Sequence, residues 1–345
     1  MLSRAVTVAL LTGFAFAQSP QTPAPQAPAP PQQSPIKVQV NEVIVPVTVT
    51  DEKGKFVSNL DKQDFRVRDE GKEQTIRFFS RDRSQPVVVG FLIDMSNATR
   101  IHWKNFQDAA IEMALHLLPG DKKYSGYLIS YGNDAELQVN TTTDAEPIVE
   151  KLRKMKPGGG AALYDAIYKA CANREMVAGE PYEPRRVLII VGDGHDTASK
   201  KTLDEVLEIA QRKLVTIYAM STIAFGFGSE GEKNLTRLAE ETGGRVEYPL
   251  NSLYKDVSGY LSTPSDEGNY ALKVGTGGYA SEIASGVFRA VNAIAGEINL
   301  QYVIRYIPEI EEKSANKVFR EIKVTVPNYP TLRVRARNGY YAGNP

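Results

Sequence analysis

The sequence predicts an α/β protein. Its core is a doubly wound, mostly parallel sheet, flanked at both chain ends by β segments that pair into a small β-sandwich. Three observations predict this. From residue 86 to about 298, short apolar runs alternate with stretches of helical spacing. Those runs are continuous rather than alternating, as expected of strands covered by helices on both faces. Outside this region, at 38–83 and again after 301, the apolar residues repeat every second position.

Taken in chain order, the first residues read as a signal peptide, 1–17. Arg4 supplies the positive start, Ala5 to Phe16 a short apolar run, and Ala15-Phe16-Ala17 a small-x-small cleavage site. The run is too short to span a bilayer. Residues 18–35, "QSPQTPAPQAPAPPQQSP", read as a Pro-rich disordered linker that favours polyproline II. The N-terminal β segment is placed at 36–84. Val43, Val45, Val47 and Val49 form one apolar face, and Pro46 predicts an edge or bulged strand. "DEKGK" and "DEGKE" carry turn chemistry, and Phe65, Val67, Ile76 and Phe78 supply apolar faces for a second hairpin.

The α/β domain is placed at 85–298. Strands are expected at 87–93, 125–131, 187–192 and 214–220. Phe106, Ala110, Met113 and Leu117 recur at helical spacing, as do Leu163, Ile167 and Cys171, then Leu203, Leu207 and Ala210, and finally Ile283, Val287, Val291 and Ile294. Thr202 with Glu205 predicts a capping box. The Gly- and Ser-rich stretches 225–232 and 264–279 are expected to be surface loops. Residues 299–345 return to strands. Tyr302, Ile304 and Tyr306 alternate, and Arg333, Arg335 and Arg337 are expected on a solvated strand face.

Composition narrows the function. The 345 residues are 42% hydrophobic and 24% charged, which suits a packed core. Lys+Arg and Asp+Glu both total 41. That balance argues against nucleic acid or an anionic membrane as partner, because both reward a basic face. The single cysteine, Cys171, excludes an internal disulfide and lies on an apolar helix face as a buried thiol.

Two apolar strands end on carboxylates: "GFLIDMSNATR" on Asp94 and "VLIIVGDGHD" on Asp193. In open parallel sheets, ligands bind outside the carboxyl ends of the strands, where strand order reverses. If those strands are neighbours, the carboxylates lie on the order of 5 Å apart. Such a pair calls for a cation, a shared proton or several donors. A hard divalent ion with oxygen ligands would answer it most simply. The other reading has Asp94 held by backbone N–H groups of the loop "SNAT" and the following helix N-terminus.

Asp94-x-Ser96-x-Ala98 resembles the Asp-x-Ser-x-Ser motif of von Willebrand factor type A domains. "GGGAALYDAI" resembles the segment carrying that family's metal-site threonine, and "VGDGHD" its second aspartate stretch. With "VIVPVTVTDEKGKFVSNLDKQDFRVRDEGKEQTI" and the ending "QYVIRY…RVRARNGYYA", the chain resembles secreted bacterial proteins that carry such a domain between β segments. The resemblance implies a von Willebrand factor A-like, Rossmann-like fold. It also implies Asp94, Ser96 and Asp193 as the retained metal set. Ala98 stands at the second serine and Ala161 at the threonine, so two direct oxygens are replaced by methyls. Mg²⁺ demands near-octahedral oxygen coordination, so its affinity is expected to fall.

The expected function is a secreted or periplasmic, non-enzymatic protein-binding module with weak or no metal dependence: no cofactor is expected beyond a doubtful, weakly held Mg²⁺. Its partner, an unidentified protein, is expected at Asp94, Ser96, Asn97, Thr99, Gly160, Asp193 and His195. No nucleic acid is expected, and no membrane insertion after signal cleavage. The rival is a Mg²⁺-dependent haloacid-dehalogenase-like phosphatase, with Asp94 as nucleophile and Asp193 as magnesium ligand. Against it, the general acid expected two positions on is Ser96, and no clear lysine precedes "VGDGHD".

Overall fold

The computed structural model describes residues 42–81, 86–172, 184–223, 229–250, 276–309 and 319–341. The expected signal peptide and Pro-rich linker lie outside them. Among the described residues, no helix is long and apolar enough to cross a membrane.

Three sheets organise the described residues. The central one contains β5 (Val87–Asp94), β6 (Tyr124–Tyr131), β7 (Ala135–Thr142), β8 (Arg185–Gly192), β9 (Val215–Ser221) and β10 (Val246–Glu247), in the order β10-β9-β8-β5-β6-β7. All its pairings are parallel except β6 with β7. Strand β5 shows why its sequence is apolar throughout. Val87, Val89, Phe91 and Ile93 face one helix layer, while Val88 and Leu92 face the other. The first layer holds α1 (Trp103–Leu117), α2 (Glu146–Lys154) and α6 (Thr276–Leu300). The second holds α3 (Leu163–Ala172), α4 (Leu203–Arg212) and α5 (Glu230–Thr242). Cys171 is free, buried in that second layer, and burial pushes its thiol up to about 12. The Thr202–Glu205 capping box forms as expected.

The flanking segments build two antiparallel four-stranded sheets. One runs β13 (Arg333–Arg335), β1 (Val43–Thr50), β11 (Tyr302–Tyr306), β4 (Phe78–Ser80); the other runs β14 (Gly339–Tyr341), β12 (Phe319–Thr325), β2 (Arg66–Asp69), β3 (Lys72–Gln74). Each interleaves strands from both chain ends, so neither end can build its sheet alone. The valine face of β1 packs with Tyr302, Ile304 and Tyr306 against Phe65, Val67, Ile322 and Tyr340. Beneath it, the Asp69 carboxylate accepts from Tyr306 and Tyr340 hydroxyls at 2.9 Å each and from Arg320 at 2.7 and 2.9 Å.

Several expectations need correction. Strand β1 is interior to its sheet, not an edge; Pro46 is tolerated because β13 pairs only with residues 48–50, leaving 43–47 partnered on one side. Phe78 is 42% exposed, and Phe79 packs inward instead. The loop expected at 225–232 gives way to helix at Glu230, capped by the Ser229 hydroxyl, and the one expected at 264–279 gives way at Thr276. Residues 224–228 and 264–275 are outside the described set. Of the arginine face, Arg333 is exposed as expected, but the other two are not free in solvent. Arg337 is 1% exposed and donates to the Leu214 carbonyl, and Arg335 pairs with a buried carboxylate.

Candidate functional site

The chain leaves β5 through α1 toward β6 and leaves β8 through α4 toward β9, on opposite sides of the sheet. The carboxyl ends of β5 and β8 therefore flank the reversal of strand order, the place where open α/β sheets bind ligands. Strands β5 and β8 are neighbours, with Ile93 opposite Val191, so Asp94 and Asp193 end adjacent strands.

Asp94 is 1% exposed. Its Oδ1 accepts from the Ser96 amide at 2.7 Å, while Oδ2 is buried and has no hydrogen-bond partner. The Ser96 hydroxyl and the Tyr131 hydroxyl are likewise buried and unpartnered. Burial, reinforced by the nearby Asp193 charge, pushes the Asp94 carboxyl up to about 7. Tyr131 lies in the same recess, and burial with the charges of Asp94, Asp193 and Asp196 raises its phenol well above the usual range. The Asp94 side chain is closed to an approaching phosphate ester, so the geometry lends nothing to a nucleophilic role.

The other site residues lie at different depths. Asn97 and Ala98 are exposed on a 3₁₀ turn, Asn97–Thr99. Thr99 is buried, and its hydroxyl donates to the Ser96 carbonyl at 3.0 Å and the Asp94 carbonyl at 3.4 Å. That hydroxyl is committed to the backbone. Gly160 and His195 are partly exposed. The Asp193 carboxylate accepts from the His195 amide at 2.9 Å and meets His195 Nδ1 at 3.2 Å. Asn97, Gly160, Asp193 and His195 thus reach solvent at this end of the sheet, with Asp94, Ser96 and Thr99 buried beneath them.

Direct hydrogen bonds hold the loops together. The Asn97 amide donates to the Gly159 carbonyl at 3.1 Å, and the Gly158 amide to the Met95 carbonyl at 2.6 Å. The Gly160 amide donates to Asn133 Oδ1 at 2.7 Å. Ala161, which the resemblance sets at the threonine position, is spent on both sides. Its amide donates to Thr197 Oγ1 at 2.9 Å, and its carbonyl accepts from the Thr197 and Ala198 amides at 2.8 and 3.1 Å. Asp196 accepts from the Tyr164 amide and Ser199 Oγ accepts from the Asp165 amide, each at 2.9 Å, so the loop after β8 caps the start of α3. Asp165 returns the favour by accepting from the Lys200 and Lys201 amides. Tyr131, Asn133 and Ser199 are not among the residues that the sequence marks as site residues. For Asp196 and Ser199 a capping signal was present, Asp-x-x-Ser, but the helix it serves belongs to another segment.

The oxygens that could meet an ion are those of Asp94, Ser96 and Asp193. Ala161 is buried, and neither it nor Ala98 offers a side-chain oxygen. Among the described residues, no three His, Cys, Asp or Glu side chains are grouped to hold a metal.

The family profile of the von Willebrand factor type A domain matches residues 89–254. This segment is a von Willebrand factor type A domain. Solved structures similar to the chain include that domain of the type V pili tip protein Mfa5 from Porphyromonas gingivalis, at 21% identity and a TM-score of 0.29, covering 33% of this chain and 39% of that one. BatB from Bacteroides thetaiotaomicron matches at 16% identity and a TM-score of 0.38, covering 58% of this chain and 99% of that one. A von Willebrand factor type A protein from Catenulispora acidiphila matches at 13% identity and a TM-score of 0.40, covering 59% and 43%. No curated protein matches the chain. The von Willebrand factor type A domain here has the mostly parallel sheet of the expected fold, with its site loops at the carboxyl ends of β5 and β8.

Proposed function

We propose that the protein is an exported, non-enzymatic binding module. Its partner is a protein that docks at the carboxyl-end face of the von Willebrand factor type A domain without needing a divalent ion. Export is inferred from the basic, apolar and small-x-small pattern of residues 1–17.

One observation carries the metal-free reading: Ala161, where the resemblance implies a threonine ligand, has both backbone groups bound to Thr197 and Ala198. The loop is fixed by the protein itself and presents a methyl. Mg²⁺ needs near-octahedral oxygen coordination and gives up water reluctantly. Asp94, Ser96 and Asp193 fall short of that set, so they do not fit a tightly held ion. The face keeps its shape through direct hydrogen bonds, and Asn97, Gly160, Asp193 and His195 remain for a partner.

Capture of partner proteins from culture medium by the immobilised chain tests this. The same protein should be retained in EDTA and in Mg²⁺, and lost when Asn97 and His195 are both changed to Ala. Retention only in Mg²⁺ would count against the proposal.

A further inference from the structure

Outside the strand-end face, Glu297, near the end of α6, is a heavily bonded carboxylate. It is fully buried. Its Oε1 accepts from the Thr48 hydroxyl of β1 at 2.8 Å and from the Tyr218 hydroxyl of β9 at 3.0 Å. Its Oε2 pairs with Arg335 of β13 and with Arg245 Nε at 3.3 Å. One turn on, Gln301 donates to Thr48 Oγ1 at 3.1 Å and to the Tyr218 hydroxyl at 2.8 Å. Its side-chain Oε1 accepts from Arg185, the first residue of β8, at 2.9 Å, and the second terminal nitrogen of Arg185 donates to the Ile298 carbonyl.

Thr48 and Arg335 belong to the sandwich; Tyr218, Arg185 and Glu297 belong to the α/β layers. Helix α6 meanwhile buries Ile283, Val287, Val291, Ile294 and Ile298 against the central sheet. A buried carboxylate that loses one of its two cations is destabilised, because its desolvation is then offset only in part, here by Arg245 alone. The sandwich therefore supplies a charge that the last helix of the α/β unit needs in order to stay packed.

We infer that the β-sandwich is a clamp on the carboxyl end of α6, so that sandwich and α/β unit open together as one cooperative body. The sandwich is then no tethered neighbour. Its arginine on β13 holds in place the helix that backs the domain.

Hydrogen exchange and thermal unfolding of the full chain test this, using Arg335→Met, Arg335→Met with Glu297→Gln, and the milder Thr48→Val. The native chain should unfold in one transition. In Arg335→Met, exchange should quicken by the same factor in β13 and in the last two turns of α6, with a lower midpoint. Neutralising Glu297 in that background should recover most of the lost midpoint, an outcome that lost packing alone would not give. If Arg335→Met does not fold, Thr48→Val should still speed exchange in α6 as well as β1. Two resolved transitions in the native chain, or faster exchange confined to the sandwich in Arg335→Met or Thr48→Val, would overturn the inference.

Discussion

The Tyr131 hydroxyl lies 2.1 Å from the point that a Cβ on Gly192 would occupy, and Asp94 Oδ2 lies 3.1 Å from that point. The phenol thus reaches from β6 across β5 to the last residue of β8, and only a glycine there leaves it room. The hydroxyl it delivers has no partner.

That contact sets a first expectation. Gly192→Ala should destabilise the protein by about 1–3 kcal/mol through overpacking. Tyr131→Phe should restore part of the loss. Alone, Tyr131→Phe should be neutral or slightly stabilising, because it removes a buried hydroxyl that makes no hydrogen bond. Urea denaturation of the three variants checks both. Full independence of the two changes would show that the steric reading is wrong.

Asp94 gives the fold a pH dependence with a definite sign. Its carboxyl titrates at about 7 in the fold against an ordinary 3.8. Between those values the folded state binds the extra proton, so this contribution to stability falls as pH rises from about 4 to 7. Above pH 7 the ionised form carries the full penalty, on the order of 4 kcal/mol. In EDTA, Asp94→Asn should therefore stabilise the chain at pH 8 and change little near pH 4. Chemical denaturation at the two values decides it, and equal effects at both would refute the desolvated carboxylate.

The buried quartet of the sandwich behaves differently, since every oxygen of Asp69 is satisfied. Asp69→Ala strands Arg320, which is 2% exposed, without its carboxylate. Loss of one partner of a buried pair costs about 3–5 kcal/mol. A matching drop in the urea midpoint is expected, whereas Tyr340→Phe, which removes one of the Asp69 donors, should cost about 1 kcal/mol.

Much of this fold was legible because burial on two faces leaves an unmistakable trace. Val87 to Ile93 are apolar on both sides since helices cover both, and the valines of β1 alternate since one side faces the sandwich core. Strand β7 left no such trace. Its residues, AELQVNTT, pair with β6 at the sheet edge and stay largely wet. Helix α5 hid behind the Gly- and Ser-rich stretch before it, with Leu235, Leu238 and Ala239 as its few buried apolar residues.

At the site, the two carboxylates at strand ends could be read directly, and the resemblance alone marked Ala98 and Ala161 as positions where an oxygen was expected. The bonds of Ala161 could not, because Thr197 comes from another loop and Tyr131 arrives from a neighbouring strand. Charged side chains misled for a related reason. Arg335 and Arg337 look solvated until Glu297 and the Leu214 carbonyl are placed beside them.

The metal-free strand-end face is tested most directly by titrating Mg²⁺ into the full chain by calorimetry. No saturable heat is expected at millimolar Mg²⁺, and Asp94→Ala should give the same trace as the native protein. Saturable binding in the native chain that disappears in Asp94→Ala would contradict the proposal.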